Sequence, residues 1–213
     1  ATPVLGGWNQ DQMMIFVSSF IFVDAFYMTF FANNSWWFPI SINRGDLDYY
    51  LTKPVSSFFF LSFKEFAANS LINLMMATGL LIYSLVTYPE SFSFFKLAIY
   101  FLLLFNGAFL YFMTFLIFLL SVFWTGSPRG FGDIFYAAEK TFQRPDGIFQ
   151  GYFKRAFLTL LPFSIMASFP TRYLIEPFSW SVIAEVIIGS SFIYLLAFII
   201  WKKGLKSYSS ASS

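Results

Sequence analysis

The sequence predicts an all-α polytopic membrane protein, and three observations carry that prediction. Of the 213 residues 58% are hydrophobic and only 11% are charged, a composition that would leave a soluble domain with large apolar patches in water. The apolar residues are gathered into five runs of the length needed to cross a bilayer, about 20 residues each. Between the runs lie short polar islands that hold most of the Lys and Arg residues.

Residues 1–11 read as a polar loop leading into a helix, with no basic n-region and no signal-peptide shape. The first span is expected over 12–31, interrupted by the single charge of Asp24, and Asn33, Asn34, Trp36 and Trp37 follow as a polar and aromatic boundary. A second span is expected over 67–86, after the aromatic, amphipathic stretch SSFFFLSFKEF. The break around Pro89 is short, so the third span, over 95–123, is an antiparallel neighbour of the second. Asn69, Asn73 and Asn106 within these spans are expected to hydrogen-bond between helices, since unsatisfied amides are costly in lipid.

Residues 125–152 form a second polar island, rich in Gly and Pro. Ile134, Phe135, Ala138 and Phe142 keep helical spacing there, which predicts an interfacial amphipathic helix. A fourth span over 153–170 carries Pro162 at its middle and should be bent or broken, because proline frees a carbonyl. A fifth span over 180–201 is closed by Lys202, Lys203 and Lys206. With five alternating spans and the C-terminus in the cytoplasm, Arg44, Lys53, Lys64, Arg129, Lys140, Arg144, Lys154, Arg155 and the three terminal lysines lie inside. That is eleven of the thirteen basic residues, and only Lys96 and Arg172 remain outside. An odd number of spans with an outside N-terminus then predicts that a first span precedes this sequence, giving six in all.

Residues 41–55, SINRGDLDYYLTKPV, are the chemically distinctive stretch. Gly45 lets the chain turn, Asp46 is placed to cap a helix, and Pro54 stops it after about two turns. In such a helix, over about 45–53, Leu47, Tyr50 and Leu51 share one face and Asp48 and Thr52 point elsewhere. The pattern fits a docking knob, and it equally fits an interspan helix lying in the headgroups.

Composition also excludes function classes. With no Cys and no His, thiolate chemistry, serine-triad chemistry and histidine metal sites have no residues to draw on. The small net charge of +2 is dispersed, which gives no footprint for nucleic acid, and no phosphate-cradling glycine pattern is present. A membrane enzyme would have to use Asp24 and Glu185, which lie on separate spans at different depths. A structural subunit of a larger membrane complex, without transport of its own, is the other alternative.

The run Arg44, Gly45, Asp46, Leu47, Asp48, then Leu51 and Lys53-Pro54, resembles the Gly-x-Leu-Asp-x-x-Leu-x-(Arg/Lys)-Pro segment of bacterial type-2 ABC exporter permeases. Gly6-Gly7-Trp8 resembles the loop before that family's second span. Leu158 to Pro162 with Pro170 resembles its fifth span, and WKKGLKSY from Trp201 to Tyr208 resembles its C-terminal motif. The likeness extends over essentially the whole chain, which departs from the family in its 33 Phe residues and in the Gly-rich stretch from Gly126 to Gly151.

The resemblance implies that the five spans are the second to sixth of a six-span permease, that two permeases pair, and that an ABC ATP-binding subunit docks under each. It implies that the island of Arg44, Gly45, Asp46, Leu47, Asp48, Tyr50, Leu51 and Lys53 is a cytoplasmic coupling helix. ATP and Mg would be held by the partner subunit, with no cofactor or metal in this chain. The substrate route would run between the two permeases, with Asp24 and Pro162 as candidates for its lining. Phe-rich walls suit an amphipathic or lipid-like cargo. Asp24 fits an internal hydrogen bond to a neighbouring Ser or Asn as well as a cargo contact.

Overall fold

A computed structural model describes residues 7–127, 129–142 and 163–208. All regular structure among them is helical, and four helices are long and apolar enough to cross a membrane: Gln10–Phe30, Ala68–Thr87, Phe94–Thr125 and Trp180–Ser207.

Helix α1 (Gln10–Phe30) starts at a capping box. The Asn9 side chain accepts from the Gln12 backbone N–H at 2.9 Å, and the Gln12 side chain accepts from the Asn9 N–H at 3.0 Å. Its hydroxyls are satisfied inside the bundle. Ser18, Ser19 and Thr29 donate back to carbonyls one turn earlier, and Ser18 and Ser19 also bond to Ser84 and Tyr100 on neighbouring helices. In lipid such hydroxyl pairs hold helices together, because no water competes for them.

The chain bends at Phe31 and resumes at once as α2 (Ala32–Arg44), which runs through Pro39 to Gly45. The stretch read from sequence as a boundary is therefore a helix, and Gly45, at φ +79°, ends it. That left-handed conformation suits glycine because no Cβ meets the preceding carbonyl. Two one-turn helices follow, α3 (Leu47–Leu51) and α4 (Ser57–Ser62). The second expected span opens as a 3-10 turn, Ala68–Ser70, and continues as α5 (Leu71–Thr87).

Helix α6 (Phe94–Leu119) is the central pillar. Ser93 caps it, and its second half is almost wholly buried from Gly107 to Leu116. Asn106 donates to Ser190 at 2.9 Å and accepts from the Tyr194 hydroxyl at 2.8 Å, so this amide joins helices, as the sequence suggested. Gly107 lets another backbone approach: a Cβ there would sit 2.5 Å from the Met166 carbonyl oxygen. Short α7 (Val122–Thr125) ends at Gly126, and α8 (Arg129–Phe142) packs back on α6.

The fourth expected span, 153–170, falls mostly outside the described residues, and so does Pro162. Its described end does not stop at Pro170. It forms α9 (Phe163–Met166) and, after a break at Ala167, α10 (Ser168–Ile175). Pro170 lies in the first turn of α10, where a missing N–H leaves no helical bond unmade. Helix α11 (Trp180–Ser207) closes the bundle.

The bundle has two ends. At one, Trp8 donates to Glu176 at 3.4 Å, and the Tyr88–Phe92 turn and the start of α11 gather. At the other, Asn43 donates to the Gly126 carbonyl at 2.9 Å and Trp124 donates to Ser207 at 3.2 Å, beside α3 and α4.

Candidate functional site

The site is assembled on an aromatic platform. Trp201 of α11 sits among Phe38 of α2, Phe58 of α4 and Phe123, with ring centroids 5.4 to 5.7 Å apart in edge-on geometry. Four segments distant in sequence thus meet on one indole, an arrangement that stabilises beyond the area buried. Gly204 lies one turn on, where any side chain would run into Phe123.

A second device fixes the approach to the platform. Between α4 and the second span the chain is extended past the α1–α2 junction, and buried Asn34 clamps it. The Asn34 amide donates to the Glu65 carbonyl and accepts from the Glu65 N–H, both at 2.8 Å. Two residues later the Ala67 N–H donates to the Thr29 carbonyl at 2.9 Å. The non-helical backbone is therefore satisfied at the point where the second span begins.

On this base stands α3, packed against α4 and α2. It differs from the sequence expectation in three respects. The helix covers only Leu47–Leu51, one turn and a half, because Thr52 ends it and bonds its hydroxyl to the Tyr49 carbonyl at 2.9 Å. Asp46 stands at the N-cap in helical backbone and makes no side-chain cap bond, so it is not the cap the sequence suggested. Leu47 is fully buried and turned into the core, away from any partner.

Tyr50 is half-buried, its ring 5.2 Å from that of Phe60. The exposed apolar side chains are instead Tyr49 and Leu51, at 61% and 45% exposure on different sides of α3, and Val55 beyond its end, at 50%. Lys53 lies over the Tyr49 ring at 4.1 Å, a cation–π contact. Arg44, Asp46 and Thr52 are exposed around it, and Asp48 is half-buried. Asp48 faces Tyr208, beyond the end of α11, whose pKa is raised by burial first and then by that carboxylate.

The second polar island contributes α8. Phe135 is fully buried, with its ring 4.8 to 5.7 Å from those of Tyr111, Phe115 and Phe118, whereas Ile134 is exposed and does not share the face assigned to it from sequence. Glu139 is buried and accepts from the Tyr111 hydroxyl. Tyr136 beside it is pushed up to about 12, by burial first and then by the negative charges of Glu139 and Asp24. This carboxylate and tyrosine cluster was not foreseen; the only signal for it was Glu139 at helical spacing from Phe135.

Asp24 lies on α1, remote from α3, in a groove shared with Asn73 of α5. The structure thus brings Arg44 to Lys53 together as one knob and leaves Asp24 apart from it. Glu185 is exposed on α11.

These features define an all-α, multi-pass membrane protein with a short braced helix outside its spans. A sequence model of the family described as ABC-2 family transporter protein matches residues 1–212, and the chain belongs to that family. It is the permease component of an ABC transporter, and the family implies association with an ABC ATP-binding subunit. No curated protein and no solved structure matches the chain.

Proposed function

We propose that this permease belongs to a bacterial exporter and that α3 is its coupling helix, seated on an ATP-binding subunit that hydrolyses ATP with Mg. The observation that carries this reading is the geometry of α3, a short helix with Tyr49 and Leu51 exposed and braced from behind by buried Leu47 and by Tyr50 on Phe60. A braced helix transmits a partner's movement as a rigid-body tilt, whereas a loose loop absorbs it. The load path runs from α3 through α2 and α4 onto the aromatic platform, and from there into α1, α6 and α11.

Orientation follows from charge. The α3 end holds Arg44, Lys53, Lys64, Lys202, Lys203 and Lys206, while Lys96 and Arg172 lie at the other end. The positive-inside bias supports a cytoplasmic α3 end and a cytoplasmic C-terminus, and the exporter reading puts the protein in the bacterial cytoplasmic membrane. A second permease, identical or related, completes the pathway, with Asp24 and Pro162 in its lining and an amphipathic or lipid-like cargo.

Co-purification of the ATP-binding subunit with the permease, followed by cargo-stimulated ATP hydrolysis in reconstituted vesicles, tests the reading. Loss of the subunit from a Tyr49→Ala, Leu51→Ala variant that still inserts and folds is the expected result. Full retention with normal coupling would leave α3 as an interfacial loop helix.

A further inference from the structure

The α1–α5 contact is not closed along its whole length. Between these helices lies an open groove of about 500 Å³, walled by Ile21 and Met28 on one side and Met76 and Leu80 on the other. All four are more than a third exposed, so the groove opens outward from the described bundle. Two polar side chains interrupt it, Asp24 from α1 and Asn73 from α5. Asp24 lies about 9 Å along the axis from the end of α1 at Phe30, inside the apolar length of the span.

Three features of this groove select a ligand. Among the described residues neither Asp24 nor Asn73 makes a hydrogen bond or an ion pair, in contrast to Asn34 and Asn106, whose amides are fully engaged. Among the described residues no basic side chain lines the groove, so a phosphate or carboxylate ligand would meet Asp24 with no compensating cation there. One carboxylate and one carboxamide are too few donors for a hard metal ion, which takes six or more oxygens. A carboxylate at this depth is costly unless its charge is matched, and the rest of the lining is apolar, with methionines that adapt to varied shapes.

We propose that this groove is a binding site for a cationic amphiphile with a protonated amine head. The ammonium pairs with the Asp24 carboxylate and donates an N–H to the Asn73 carboxamide oxygen, while the alkyl body lies along Ile21, Met28, Met76 and Leu80. A volume of this size is ordinary for a small-molecule site. A ligand reaches it from the side on which the described bundle leaves the groove open. Export of such a ligand rests on the exporter reading above, whereas its binding does not, so the test reads binding alone.

The full chain in phosphatidylcholine nanodiscs is titrated with dodecylammonium, with empty nanodiscs subtracted and with dodecanol and dodecanoate as neutral and anionic controls. Saturable binding of dodecylammonium alone is expected, weakened at least tenfold by Asp24→Asn and several-fold by Asn73→Leu. Met76→Trp narrows the groove while keeping the Asp24 carboxylate and should weaken binding at least tenfold too. Equal saturable binding of dodecanol, unchanged binding in Asp24→Asn, or absence of saturable binding in the unmodified chain overturns the proposal. If Asp24→Asn does not fold, full binding by a folded Met76→Trp variant overturns it equally, since the ligand would then lie elsewhere.

Discussion

Leu47 and the pair Tyr49 and Leu51 are close neighbours on one short helix, yet the structure assigns them opposite work. Leu47 is fully buried, so Leu47→Ala leaves a cavity and should cost about 2 to 5 kcal/mol, concentrated in the α2–α4 region. Tyr49 and Leu51 are 61% and 45% exposed, so truncating both should change folding by no more than about 1 kcal/mol, the Tyr49–Lys53 contact included, well below the Leu47→Ala cost. Their effect belongs to docking. If each anchors the ATP-binding subunit with more than about 1 kcal/mol, the double variant loses more than about 2 kcal/mol, roughly 30-fold in Kd. Asp46→Ala should do little to the helix, because no cap bond is there to lose. The assay pairs two readouts on each variant in nanodiscs, thermal unfolding and titration with the purified ATP-binding subunit. Leu47→Ala should lower the unfolding temperature, and Tyr49→Ala, Leu51→Ala should weaken binding at unchanged unfolding temperature. Native binding by the Tyr49→Ala, Leu51→Ala variant would refute the assignment of these two side chains to docking.

Three further outcomes follow from other parts of the molecule. In this cysteine-free chain, Glu90→Cys and Ser127→Cys are both exposed and at opposite ends, so an impermeant thiol reagent should reach them from opposite sides of the membrane, Glu90 from outside; labelling from one side would contradict the arrangement. Asn34→Ala strips partners from both the Glu65 N–H and its carbonyl, which are only partly buried and so cost about 1 kcal/mol each, the low end of the penalty for an unpaired group; hydrogen exchange should show the 63–67 segment opening while α11 stays protected. Tyr136, raised to about 12, adds stability that is fully present below the ordinary phenol value of about 10 and is lost as pH rises through 12. The tyrosinate absorbance difference between the parent chain and Tyr136→Phe should accordingly titrate near 12 rather than 10.

The long helices were legible because their signal is composition, and an apolar run such as Phe94–Leu119 can satisfy its backbone in lipid only as a helix. Of the three amides expected to join helices, Asn106 does so, through Ser190 and Tyr194, whereas Asn69 and Asn73 make no hydrogen bond among the described residues. The island was legible as a short helix ended near Pro54, but its facing was not. Periodicity places Leu47, Tyr50 and Leu51 on one stripe without saying which edge of the stripe meets the core, and Leu47 went inward because α2 and α4 close over it.

Asp46 was read as a cap from residue type and position. In the structure Gly45 ends α2 so near to α3 that Asp46 keeps helical backbone, a geometry from which its carboxylate does not reach the first turn. In sequence Trp201 is the last residue of the fifth span and the first of WKKGLKSY, and only tertiary contact shows it gathering Phe38, Phe58 and Phe123. The Asn34 clamp was out of reach too, because its partner is a backbone 31 residues away, which no side-chain pattern encodes.

The central claim is that α3 faces an ATP-binding subunit, and proximity tests it most directly. Thr52→Cys sits exposed beside α3 and Glu90→Cys sits exposed at the far end of the bundle, and the chain has no other cysteine to confuse the result. Each variant is labelled with a short photoactivatable thiol reagent and illuminated in membranes containing the ATP-binding subunit. The account predicts a covalent adduct with that subunit from Thr52→Cys and none from Glu90→Cys. An adduct from Glu90→Cys, or none from Thr52→Cys while the two proteins still co-purify, would contradict it.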